Sequence, residues 1–168
     1  ETDLQVLHEH SFSCDNDSSV QEMIKANFKP KNFYPDIAER NNEDAPKVDV
    51  YVAGFPCQPF TTAGKKAGFE DSRGRGEIFF RVAEYIDAKR PKVFILENVK
   101  GFAQLHNGSC LRRVVRALEE IKDVELKKPR YGNDEPAYEI HHTILNTKEH
   151  GIPHNRPRWY CVGLRRDA

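Results

Sequence analysis

At 168 residues the chain is long enough for one domain with a substantial core. Apolar residues at 38% and charged residues at 31% fit a globular chain rather than a disordered one, and no apolar run or leader pattern marks a membrane span or signal peptide. The 26 basic residues balance the 26 acidic ones, so net charge gives no support to nucleic-acid binding, and local clusters must supply it.

Leu4–Leu7 reads as a first strand. Ser19 with Glu22 matches a capping box, predicting a helix from there to about Asn27. Val48–Ala53 reads as a second strand, followed by a Gly-, Lys- and Arg-rich loop from about Pro59 to Gly76. Ile78, Val82, Tyr85 and Ile86 recur at helical spacing until Arg90-Pro91 stops the helix. Val93–Leu96 is a short apolar run that fits a strand buried on both faces. Ser109 can cap a helix with the apolar face Leu111, Val114, Val115, Leu118 and Ile121. Lys127–Tyr138 reads as an exposed loop, and strands around Ile140–Leu145 and Trp159–Leu164 complete the pattern. Alternating strands and helices predict an α/β fold with a mostly parallel sheet and flanking helices.

The four cysteines, Cys14, Cys57, Cys110 and Cys161, are widely spaced and form no CxxC or Cys/His set. That argues against a disulfide framework or a metal site and predicts a reducing, intracellular compartment.

Cys57 and Glu97 fall just past the ends of two expected buried strands, where α/β sheets bind ligands. A lone cysteine is usually a small buried hydrophobe. In Gly54-Phe55-Pro56-Cys57-Gln58-Pro59-Phe60, however, two prolines bracket the thiol and prevent the strand from continuing, which favours a thiol presented at the strand tip. Glu97 ends an apolar run; it is either a surface residue at a strand terminus or a carboxyl group that needs a partner.

Pro56-Cys57-Gln58-Pro59-Phe60 with Asp71-Ser72-Arg73-Gly74 resembles the nucleophile motif of the DNA cytosine-5 methyltransferases, and Glu97-Asn98-Val99 resembles their second signature. Gly151-Ile152-Pro153-His154-Asn155-Arg156-Pro157-Arg158 resembles their Gln-x-Arg-x-Arg pattern, with His154 where Gln is usual. The resemblance implies a Rossmann-like S-adenosylmethionine-dependent methyltransferase fold, incomplete at both ends, and a DNA (cytosine-5-)-methyltransferase activity. It makes Cys57 the nucleophile at cytosine C6 and Glu97 the group at N3. Asn98 would brace the loop, and Arg158 would reach the cytosine O2 and the cysteine region. Cysteine addition is needed because C5 of cytosine is too weak a nucleophile to take a methyl group directly.

The same resemblance implies S-adenosyl-L-methionine as methyl donor, with Asp15 on the ribose hydroxyls, Asp36 and Ile37 at the adenine, and Pro56 beside the cofactor. Asp17 is a second ribose candidate that fits a helix N-cap better. Double-stranded DNA with a flipped cytosine is the implied partner, gripped by Lys65, Lys66, Arg73 and Arg75 of the glycine-bearing loop and by Arg156; a solvated charged loop is the alternative for those basic residues. No Phe-x-Gly-x-Gly segment precedes Leu4, and no target-recognition region or closing segment follows Ala168. The chain is thus expected to be the central part of a catalytic domain, inactive unless another segment or chain supplies the rest. An RNA (tRNA) cytosine-5 methyltransferase, a non-catalytic cofactor- or DNA-binding relative, and a redox-cysteine domain are the competing readings.

Overall fold

The computed structural model of the chain describes residues 7–56, 78–122 and 135–168. It forms two compact units, Glu1–Pro46 and Lys47–Ala168.

The first unit is a small β-α-β arrangement. Strand β1 (Phe12–Cys14) pairs in parallel with β2 (Asn32–Tyr34), and helix α1 (Ser18–Asn27) connects them. The cap expected at Ser19 is provided by Asp17, whose Oδ1 accepts the N–H groups of Ser19 and Val20 at 2.9 and 3.2 Å. A carboxylate ahead of the first turn satisfies two free amides and meets the positive end of the helix dipole. Of the expected Leu4–Leu7 strand only Leu7 lies within the described residues, where it is irregular and exposed.

The second unit holds β3 (Val50–Gly54), α2 (Ile78–Lys89), β4 (Val93–Val99), α3 (Lys100–Gln104), α4 (Ser109–Glu119), β5 (Tyr138–Asn146) and β6 (Pro157–Arg165). Its sheet has the order β3-β4-β6-β5. β3 and β4 are parallel, while β6 is antiparallel to both neighbours, so β3, β4 and β5 run one way and β6 the other. The α/β fold with a mostly parallel strand direction is the one expected.

Alternation along the strands decides what is buried. Phe94, Leu96 and Asn98 of β4 are buried together with Trp159 and Cys161 of β6, and α2 adds Phe79, Val82, Tyr85 and Ile86 to the core. The run Val93–Leu96, expected to be buried on both faces, is only partly covered at Val93 and Ile95. Tyr51 and Tyr85 rings pack with centroids 4.4 Å apart, and Phe94 packs on Tyr138 at 5.0 Å. Gly163 lets this layer close up, because a Cβ there would lie 2.1 Å from Phe94 Cζ and force that ring to shift.

Three local expectations are corrected. The cap assigned to Ser109 belongs to Gly108, whose left-handed backbone (φ 77°) turns the chain into α4, leaving Ser109 as the first helical residue. On α4 the buried positions are Cys110, Val114 and Leu118; Leu111 and Val115 lie at the margin. Tyr138 is not part of an exposed loop: it is buried, opens β5, and its hydroxyl donates to the Pro91 carbonyl at 2.8 Å. No helix among the described residues is long and apolar enough to cross a membrane, and no cluster of metal-ligating side chains occurs among them.

Candidate active site

Strands β3 and β4 end, and β6 begins, at the same end of the four-stranded sheet, so the register brings three separate sequence motifs together. Gly54 pairs with Glu97, and Val99 with Arg158. Glu97 and Arg158 therefore project from the same face as diagonal neighbours, a separation that long side chains can span. Arg158 Nε lies 2.9 Å from Glu97 Oε1, and Arg158 Nη1 donates to the Pro157 carbonyl at 3.0 Å. The Arg158 side chain is 19% exposed and that of Glu97 34%, so the pair is sheltered yet reachable from outside. A Cβ on Gly54 would meet Glu97 Oε2 at 3.5 Å; glycine there leaves that side of the carboxylate uncovered.

Asn98 points the opposite way and is buried. Its Oδ1 accepts the Val99 N–H at 2.8 Å, and its Nδ2 donates a long bond, 3.5 Å, to the Phe55 carbonyl. The side chain thus links the end of β4 to the segment that leaves β3. Phe55 anchors that segment: it is buried and meets Phe79, Phe102 and Trp159 edge-on at 5.5, 5.4 and 6.5 Å. Pro56, half-buried, follows it. Cys57, Lys65, Lys66, Arg73 and Arg75 lie outside the described residues. Arg156 is exposed beside the entry to β6, with its backbone N–H on Asn146 Oδ1 at 3.0 Å.

Of the expected cofactor residues, Asp15, Asp36 and Ile37 belong to the first unit and Pro56 to the second. Asp15 directly follows β1, and its N–H donates to the Tyr34 carbonyl at 3.3 Å; Asp36 lies two residues past β2. Both are part-exposed at the carboxyl ends of parallel strands, and each turns one oxygen to a local amide, Asp15 to Asp17 at 2.9 Å and Asp36 to Ala38 at 2.8 Å. Ile37 is half-buried next to Asp36. Beside them Arg40 is buried, its guanidinium 5.3 Å from the Phe12 ring and 5.9 Å from that of Tyr34. Burial pushes the Cys14 thiol above its ordinary pKa, and the Arg40 charge partly opposes this.

Two contributors escaped the sequence reading. Phe55 carries no signal of its own in the motif beyond its place, an aromatic residue between Gly54 and Pro56 at a strand end, which is the mark of an anchor. Trp159, next to Arg158, supplies the ring against which Phe55 and Phe102 pack.

Over residues 4–168 the chain matches the model of the C-5 cytosine-specific DNA methylase family. It is 40% identical over 158 residues to the Type II methyltransferase M.HpaII of Haemophilus parainfluenzae, covering 94% of this chain and 40% of that protein. To the Type II methyltransferase M1.ScrFI of Lactococcus lactis subsp. cremoris it is 37% identical over 157 residues, covering 94% and 36%. The fold is similar to that of the S. pombe Dnmt2 methyltransferase, with TM-score 0.59, 20% identity, and coverage of 92% of this chain and 41% of that one. The chain thus spans about two-fifths of the length of the curated relatives it matches. Its α/β fold is that of the S-adenosylmethionine-dependent methyltransferases, and the chain belongs to the C-5 cytosine-specific DNA methylase family.

Proposed function

We propose that the chain forms the central part of the catalytic domain of a DNA cytosine-5 methyltransferase, acting on a cytosine flipped out of double-stranded DNA. The observation that carries this reading is the Glu97–Arg158 pair at one end of the two central strands, tied through Asn98 to the peptide of Phe55, two residues before Cys57.

In this reading the Cys57 thiolate adds to C6 of the pyrimidine. Glu97 donates a proton to N3, so the electron pair displaced from the C5–C6 double bond is delivered to C5 as an enamine. Arg158 does two things: its Nε–H holds the Glu97 carboxyl group, and the N–H groups left over from the Glu97 and Pro157 contacts would serve the base O2. The absence of a side chain at Gly54 leaves room for the ring at Glu97 Oε2. S-adenosylmethionine supplies the methyl group taken up by C5. A base or solvent water then takes the C5 proton, the C5–C6 double bond re-forms as the C6–S bond breaks to release the Cys57 thiolate, and the N3 proton returns to Glu97.

Asp15 and Asp36 suit the cofactor's hydroxyl and amino groups. Each is a part-exposed carboxylate at the carboxyl end of a parallel strand, with neither in an ion pair among the described residues. Lys65, Lys66, Arg73, Arg75 and Arg156 would hold DNA phosphates.

The test is methyl transfer by the full-length protein offered duplex DNA or transfer RNA with labelled S-adenosylmethionine. Label in 5-methylcytosine of DNA, abolished by Cys57→Ser, is expected; label in RNA alone would support the RNA reading instead.

A further inference from the structure

The connection between β5 and β6, residues 147–156, is closed by side chains rather than by the strand ladder. The last register pair is Asn146 with Pro157, and proline has no N–H to give the ladder. Asn146 makes good the loss. Its Oδ1 accepts the Arg156 N–H at 3.0 Å and its Nδ2 donates to Asn155 Oδ1 at 2.9 Å. The Thr147 hydroxyl donates to the His154 carbonyl, and the Ile152 N–H donates to the Thr147 carbonyl at 3.2 Å. Beyond this clasp, the Pro157 carbonyl accepts Arg158 Nη1 while Arg158 Nε pairs with Glu97.

We propose that Asn146 is a positioning residue for Arg158: its carboxamide fixes where the backbone enters β6, and so the angle at which the guanidinium meets Glu97. The inference rests on the reading of Arg158 given above. An asparagine that merely steadied a loop would act independently of Arg158, and this is the difference to measure.

In the full-length protein, Asn146→Ala should lower kcat about 10-fold with KM for S-adenosylmethionine within about 2-fold of the original. Asn146→Asp keeps an oxygen for the Arg156 N–H and should recover most of that loss. Arg158→Lys keeps the charge without the planar fork; in that background Asn146→Ala should cost no more than about 2-fold. The same roughly 10-fold loss in both backgrounds, or no loss in either, would overturn the proposal while leaving the site intact. Arg158→Lys and Arg158→Ala both at the unmodified rate would instead remove the reading of the site, and this inference with it.

Discussion

Arg158 reaches Glu97 across a sheet diagonal, Nε to Oε1 at 2.9 Å, although the ladder pairs Arg158 with Val99 and Glu97 with Tyr160. Two motifs far apart in sequence thereby become one part-buried carboxyl–guanidinium contact beside the end of β3.

Glu97→Gln keeps the shape of that side chain but removes its proton. Methyl transfer by the full-length protein should fall by about 10²–10⁴-fold. Circular dichroism and the melting temperature should stay close to those of the unmodified protein, since the side chain is 34% exposed. A rate within a few-fold of the original would remove Glu97 from the chemistry.

Asn98→Leu removes the side chain that meets the part-buried Val99 N–H and the buried Phe55 carbonyl. Leaving buried polar groups unsatisfied costs about 1–3 kcal/mol, readable as a lower urea midpoint. Activity should fall further than stability explains, because the Phe55 peptide leads directly to Cys57. Unchanged stability would mean that Asn98 is not the tie between β4 and the end of β3.

Gly163→Ala forces a methyl group into the Phe94 ring. Overpacking of this kind costs about 1–3 kcal/mol or more. Phe94→Leu should make room, so the double variant should be more stable than the sum of the two single losses predicts. Strict additivity in urea unfolding would contradict the packing described.

Burial pushes the Cys161 thiol from its ordinary 9.0 up to about 12. The unfolded chain therefore ionises first. The stabilisation is fully present below the ordinary thiol value and is lost as pH rises towards about 12. Burial raises the Tyr138 phenol in the same direction, adding to the decline above 10.0. Cys161→Ala should be less stable than the original at pH 8, with the gap narrowing at pH 10 when urea midpoints are compared. A constant gap would show that the thiol is not shielded.

The parts of this molecule legible in its sequence are those fixed by short-range chemistry. An apolar run ending in Glu97-Asn98, a thiol bracketed by prolines, and Arg90-Pro91 after a helical period all announced strand ends or helix stops. Strands β1 and β2 did not, because three residues such as Phe12-Ser13-Cys14 are too few to show alternation, and their pairing depends on a partner across α1. The Glu97–Arg158 contact was hidden for another reason: it depends on the β4–β6 register, which no local pattern encodes. Asn146 went unnoticed because its value lies in a hydrogen bond that Pro157 cannot make.

The central claim is that Cys57 becomes covalently joined to a flipped cytosine. The most direct measurement incubates the full-length protein with S-adenosylmethionine and duplex DNA carrying 5-fluorocytosine at its methylation site, then maps the crosslinked peptide by mass spectrometry. Fluorine at C5 blocks the final elimination, so an adduct at Cys57 is expected, absent in Cys57→Ser. A crosslink at another residue, or methylation proceeding undiminished in Cys57→Ser, would contradict the account.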